Sequence, residues 1–277
     1  MAVDLAGLRA CLALEPVGDG VLEGPNLDIG YHRVFGGQIL AQVLAAASGA
    51  VPDKSVKSVH VTFPREGDAA TPMRYRVTLH HQGRTFATGE VVGFQVDEAS
   101  GAERIVAVAL VSLHADEAGL HHSSPPPDVG GVDAATERAV DLIPWEIRVV
   151  GDVELTDRAS GPPTYRWWMR APQLAGAAAS VHQALVAHAT DLTVIGTALR
   201  PIDGLSEADS MTKIATAVTS HSLWFHQPLH LDGWLLVDQE APIVAAGRAF
   251  GRGDIFQGDE LVASFAQESM IRPLING

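Results

Sequence analysis

The sequence predicts an α+β chain of two antiparallel sheets in tandem, each curled around one apolar helix. Three observations carry this. Two helix-like stretches, one running on from Val34-Phe35-Gly36-Gly37-Gln38 into ILAQVLAAAS and the other spanning Val181 to Leu192 (VHQALVAHATDL), are apolar nearly all round. Helices of that kind are enclosed by a fold rather than laid on its surface. Each is followed by runs of alternating or β-rich residues, the pattern of strands. Short motifs also recur in the same order, roughly one and a half hundred residues apart, about the size of a domain. An apolar helix that antiparallel strands must cover gives a sheet wrapped around it, the hotdog arrangement, and two in tandem make a double hotdog.

Taken in order, residues 4–14 read as a short amphipathic helix, Val17 to Gly24 as a strand and Pro25-Asn26-Leu27-Asp28 as a turn. The first apolar helix follows, then strands at Ser55–Phe63, Met73–His80, Thr85–Phe94 and Arg104–Leu113. From Ala115 to about Thr136 the chain carries His121-His122, Ser123-Ser124, Pro125-Pro126-Pro127 and a Gly-Gly pair, which is linker composition. Strands at Glu146–Val153 and Thr164–Met169 precede the second apolar helix. After Thr193–Leu199 come strand-like runs at Ser210–Phe225, Gly233–Glu240, Val244–Gln257 and Glu260–Ile271. The expected organisation is an N-terminal domain over 1–115, a linker over 116–136 and a C-terminal domain over 137–277. The echoes fit this division. Gly83-Arg84-Thr85-Phe86 parallels Gly247-Arg248-Ala249-Phe250, and Glu103-Arg104-Ile105-Val106-Ala107 parallels Asp259-Glu260-Leu261-Val262-Ala263.

The 277 residues are 47% hydrophobic with a net charge of −14, which suits buried cores and disfavours nucleic acid or an anionic membrane as the main partner. No apolar run reaches the length of a bilayer span, and the first residues lack signal-peptide character. The single cysteine, Cys11, permits no intrachain disulfide and reads as a buried structural thiol, so a cytoplasmic setting is expected. His121-His122 has no further ligand at metal-site spacing, and no metal or cofactor is expected.

The G-x-S-x-G elbow, phosphate-loop, H-E-x-x-H and hotdog-hydratase signatures are absent. What remains is noncovalent acid–base chemistry or pure binding, and Asp191 is its focus. A carboxylate at the end of a buried helix is costly unless something pairs with it or uses it. Several neighbours have plainer readings: Gly36-Gly37 as close packing, Gln267 as a buried amide, His182 and His188 as core, and Trp167, Trp168, Trp224 and Trp234 as core or interface.

Arg33-Val34-Phe35-Gly36-Gly37-Gln38, Phe63-Pro64-Arg65-Glu66-Gly67-Asp68, His182-Gln183 through Asp191-Leu192, His221-Ser222-Leu223-Trp224-Phe225-His226, Trp234-Leu235-Leu236 and Val262-Ala263-Ser264-Phe265-Ala266-Gln267-Glu268 resemble, in order and spacing, the acyl-CoA thioesterase II (TesB-like) family. The resemblance covers nearly the whole chain. It implies a double-hotdog hydrolase of fatty acyl-CoA in which an Asp, a Ser or Thr, and a Gln position a water. Asp191 and Gln267 match two of those positions. The hydroxyl position falls on Val218, and strand alternation puts Thr216 and Ser220 on its face and Thr219 on the other. Thr216 or Ser220 is therefore the expected substitute. Backbone N–H groups at a helix start, Gly37-Gln38 or Gly176-Ala177, would meet the oxyanion, and Arg65, Arg84, Lys54 or Lys57 the CoA phosphates. The second expectation, raised by Val218, is a double hotdog that binds acyl-CoA or another acyl ligand with little or no turnover. A homo-oligomer through the sheets is expected from the resemblance alone.

Overall fold

A computed structural model describes residues 3–97 and 99–274. Helix α1 (Leu5–Cys11) leads into the hairpin β1 (Glu15–Gly18) and β2 (Val21–Gly24), then α2 (Gly36–Ala50). Strands β3 (Ser55–Thr62), β4 (Met73–Gln82), β5 (Phe86–Val96) and β6 (Glu103–His114) complete the first half. Residues 115–131 carry no regular structure. The second half holds β7 (Thr136–Val140), β8 (Ile143–Val149), β9 (Thr164–Arg170), α3 (Ala179–Thr190) and α4 (Val194–Leu199). It ends with β10 (Ile214–Phe225), β11 (Leu235–Ala245), β12 (Arg248–Gln257) and β13 (Glu260–Pro273).

Where the sequence pattern predicts two sheets, the thirteen strands form one, in the order β1-β2-β4-β5-β6-β3-β10-β13-β12-β11-β9-β8-β7. The order reads symmetrically outward from the β3–β10 junction: β6 answers β13, β5 answers β12 and β4 answers β11. The cause is at that junction. Left alone, β3 and β10 would each present an unpaired edge. Instead Ser58–Thr62 pairs antiparallel with Trp224–Ser220, and the Phe63 N–H continues the ladder to the Thr219 carbonyl at 2.9 Å. The stretch read as one strand at 17–24 is a hairpin turning at Asp19-Gly20, both with positive φ. Strand β7, short and half-exposed, has no strong apolar alternation and escapes the sequence pattern.

Helix α2 packs on α3 and on β3–β6, while α4 lies on β9, β11 and β12. Nearly every side chain of α2 from Gly37 to Ala47 is buried, as its all-round apolar sequence requires. Two glutamines break that pattern, and both are satisfied. Gln38 accepts the Leu27 N–H at 2.8 Å and donates to Asn26 at 2.9 Å. Gln42 accepts the Tyr75 hydroxyl at 2.6 Å and donates to the carbonyls of Cys11 (2.9 Å) and Pro25 (3.0 Å). This network fastens α1 and the following loop to the first helix. Cys11 is buried beside it, and burial pushes its thiol up to about 11.

Replacing Gln42 by Leu orphans the buried Tyr75 hydroxyl and the Cys11 carbonyl. Each orphaned group is worth on the order of 1–3 kcal/mol, so Gln42→Leu should lower the urea midpoint of unfolding while leaving the m-value unchanged.

Candidate active site

Asp191 is the C-cap of α3, an unfavourable place for a negative charge because it meets the negative end of its own helix. The fold places a second helix end there. A Cβ on Gly36, the first residue of α2, would lie 2.7 Å from Oδ2 of Asp191, so only glycine lets the carboxylate come this close. Helix α2 has Phe35 at its N-cap with no side-chain cap and no acid in its first turn. Asp191, from the other half of the chain, stands where a capping group belongs. Gly37 serves the packing instead. A Cβ there would sit 2.5 Å from the His188 carbonyl and 2.4 Å from the Phe35 ring, so it sets the close approach of α2 to α3.

Asp191 is 4% exposed, and its Oδ1 has no hydrogen-bond partner. Nδ1 of His221 lies 3.6 Å from that oxygen and 3.0 Å from Oε1 of Gln267. On the far side of the ring, Oγ1 of Thr190 lies 3.1 Å from Nε2 of His221 and 2.9 Å from the Ala187 carbonyl. Gln267 donates through Nε2 to Oγ of Ser269 at 2.9 Å. The His221 ring lies parallel to Phe265, with centroids 5.9 Å apart. His221, Gln267 and Ser269 are all at most 1% exposed.

A β-bulge explains why His221 and Ser269 escape a reading by alternation. Val218 pairs with Ser269 and His221 with Gln267, and only Ser220, opposite Glu268, stands between them in the register; Thr219 is the extra residue. Along this part of β13 Phe265, Gln267, Ser269 and Ile271 are buried, so Leu223, His221, Val218 and Thr216 opposite them face inward, and Ser220 faces outward with Glu268. Simple alternation instead places Ser220 inward and His221 outward. Thr216, before the bulge and opposite Ile271, keeps its inward place. Thr219 donates its hydroxyl to the Glu268 carbonyl at 3.0 Å.

A cavity of about 830 Å³ opens over Asp191. Its wall includes Phe35, Gly36, Ile195, Thr216, Val218 and Arg65. Gly37, Gln38, Ser220 and Gln267 are not on that wall, so Gly36 is the α2 glycine that faces the space. Arg84 is exposed in the β4–β5 turn and also lies off the wall, and Lys54 is buried against Asp53. Glu207 lines the same cavity, and burial, helped by Glu154, raises its carboxyl to about 7. His182, His230 and Asp232 come together near the start of α3. Nδ1 of His182 accepts the Leu231 N–H at 3.0 Å, so that nitrogen's lone pair is already engaged.

His188, fully buried behind the site, donates through Nε2 to the Leu142 carbonyl at 2.7 Å, and burial lowers its pKa to about 4. Its unfolded value is about 6.5. Between those values the unfolded chain binds the extra proton, so this group's contribution is present above pH 6.5 and is lost as pH falls toward 4. Glu207 acts oppositely in an overlapping window, so the His188 contribution is read as the difference between wild type and His188→Gln. In urea unfolding, the stability of the wild type relative to this variant should shrink by on the order of 3 kcal/mol between pH 7 and pH 4.

Residues 24–114 match a family model described as acyl-CoA thioesterase N-terminal domain, and residues 144–270 match one described as acyl-CoA thioesterase. The chain is 29% identical to acyl-CoA thioesterase 2 of Haemophilus influenzae, over 97% of this chain and 98% of that protein. Identity is also 29% with acyl-coenzyme A thioesterase 8 of Mus musculus, over 97% of this chain and 92% of that protein. Among solved structures, acyl-CoA thioesterase II TesB2 from Mycobacterium marinum superposes with a TM-score of 0.79 at 28% identity, covering 98% of this chain and all of that one. A tesB protein of Mycobacterium avium subspecies paratuberculosis gives 0.79 at 27% identity with the same coverage. The two family models on successive halves, together with full-length relatives and a shared hotdog fold, place this chain in the acyl-CoA thioesterase II (TesB-like) family.

Proposed function

We propose that this chain hydrolyses acyl-CoA thioesters to free acid and CoA, with Asp191 activating a water and no covalent intermediate. Thioester hydrolysis of acyl-CoA is the activity of its family; the roles of the residues are the proposal. The observation that carries it is the seat of Asp191: a buried carboxylate with one oxygen unpartnered, on a cavity wall, beside a helix N-terminus.

A thioester carbonyl needs an activated nucleophile and a place for the negative charge that develops on its oxygen. A water between Asp191 and a carbonyl in the cavity loses its proton to the carboxylate as it attacks. The tetrahedral oxyanion then meets the free N–H groups of the first turn of α2, starting at Gly36, where the helix dipole also favours negative charge. Collapse expels the CoA thiolate, which takes up the proton. His221 braces the carboxylate, and Gln267 braces His221. Fixed side chains of this kind keep the attack geometry aligned, which is worth orders of magnitude in rate. Arg65, on the cavity wall, is the basic residue placed to meet a CoA phosphate, whereas Arg84 has no part in this arrangement.

The rest of the reading belongs to the same proposal. The halves 1–115 and 137–277 act as two hotdog units, each curling its part of the common sheet on its own long helix, joined by a linker at 116–136. Exposed Leu110, Trp224 and Ile243 on the strands are the surface for a homo-oligomer, and the location is cytoplasmic.

Thiol release from a panel of short to long acyl-CoAs tests the assignment. Asp191→Asn preserves shape and should lower kcat at least about a hundredfold, and equal rates for variant and wild type would remove Asp191 as the base. Absence of hydrolysis by the wild type at every chain length would support instead the binding-only reading that Val218 suggests. Gly36→Ala, which pushes a methyl group into Oδ2 of Asp191, should cost roughly tenfold to a hundredfold in kcat. Its effect on KM should be small, as read from the same assay.

A further inference from the structure

Val218 leaves the inward face of β10 without a hydroxyl beside the His221–Gln267 pair. The register shows what stands opposite it. Ser269 is the direct cross-strand partner of Val218, on the same inward face and 1% exposed. Its Oγ accepts the Gln267 Nε2–H at 2.9 Å. None of the hydroxyls on β10 near Val218 makes this contact: Ser220 faces outward with Glu268, Thr219 is bonded to the Glu268 carbonyl, and Thr216 pairs with Ile271 farther along the strand.

We propose that Ser269 is the positioning residue that completes the site, its hydroxyl holding the Gln267 amide so that Oε1 faces His221 and, through it, Asp191. This rests on the reading of Asp191 as the base. The physical reason lies in the amide. A glutamine side chain has nearly equivalent ends, and which end faces a neighbour is decided by its partners. Oε1 of Gln267 meets Nδ1 of His221 at 3.0 Å, and Nε2 meets Ser269. Without the Ser269 oxygen, a buried amide N–H has no acceptor and the amide loses its reason to keep its oxygen toward the ring. His221 then loses the contact that aligns it 3.6 Å from Oδ1 of Asp191. Residues directly opposite in an antiparallel pair are about 5 Å apart, so a hydroxyl on either strand of the Val218–Ser269 pair can reach the same amide. The site has its hydroxyl on β13 instead of β10.

The test is a swap, read on the full chain in the thiol-release assay with the acyl-CoA that the wild type turns over best. Ser269→Ala should lower kcat about tenfold or more, with KM within about twofold. Ser269→Thr, which keeps the hydroxyl, should retain most of the rate. Val218→Ser should do little in the wild type, but in the Ser269→Ala background it should restore kcat to within about threefold. A merely structural role for Ser269 would be rescued by packing and not by a hydroxyl on the other strand. Melting temperatures, and the rescued double variant, separate loss of fold from loss of positioning. The proposal is overturned if Ser269→Ala keeps the wild-type kcat, if Val218→Ser fails to rescue a folded double variant, or if Thr216→Val alone reproduces the loss. Asp191→Asn in the same series distinguishes the two readings. Should that variant remain active, the base is wrong; should it be inactive while Ser269→Ala is unimpaired, only the role of Ser269 falls.

Discussion

The close approach of α2 to α3 is the constraint on which the remaining structure depends. Gly37 removes the side chain that would hold the helices apart at the His188 carbonyl, and Gly36 removes the one that would displace the Asp191 carboxylate. The N-terminus of one helix is thereby set against the C-terminus of the other. Each end is electrostatically incomplete alone: α2 begins with no side-chain cap, and α3 ends in an acid that its own dipole opposes. Together they offset each other. The site therefore needs both halves of the chain, and the continuous sheet across β3 and β10 holds those halves in register.

Two buried polar networks flank this contact, and they differ in one respect. Around α2, Gln38, Gln42, Tyr75 and Asn26 use their donors and acceptors on one another and on the backbone. Such a network specifies a structure. Behind α3, the run from Ser269 through Gln267 and His221 ends at Asp191, whose Oδ1 has no partner and whose carboxylate reaches a cavity. An unfilled acceptor in a buried setting is expensive and persists where something uses it. The contrast separates the glutamines whose bonds close within the fold from the one whose contacts lead to an open carboxylate oxygen.

Much of this was legible in the residues, and the exceptions share a cause. The two long helices announce themselves because they are apolar on every face, and the strands of β3 to β6 and β10 to β13 because they alternate. Asp191 was visible as a charge out of place at the end of such a helix. The union of two sheets into one was not, because the pairing of β3 with β10 is a property of edges and not of either strand's own pattern. Strand β7 lacks a strong pattern altogether. His221 and Ser269 stayed hidden for a sharper reason: the bulge at Thr219 shifts the register by one, and a shift of one residue exchanges the faces of everything beyond it. The same shift turned Ser220 outward, away from the site where its spacing had placed it.

That bulge also bears on how such a site can change its residues without losing its geometry. It brings the His221–Gln267 pair next to the Val218–Ser269 pair on one inward face. Within each pair the two side chains share a neighbourhood, so on the proposed role of Ser269 the requirement there is a hydroxyl near the amide, on either strand. Asp191 has no such freedom. Its carboxylate must lie where α2 begins and α3 ends, a spot reached only from the C-cap of α3 and left open only by the glycine at position 36. A chain built this way can move its supporting hydroxyl across a strand pair, while the acid and the glycine that makes room for it stay in place.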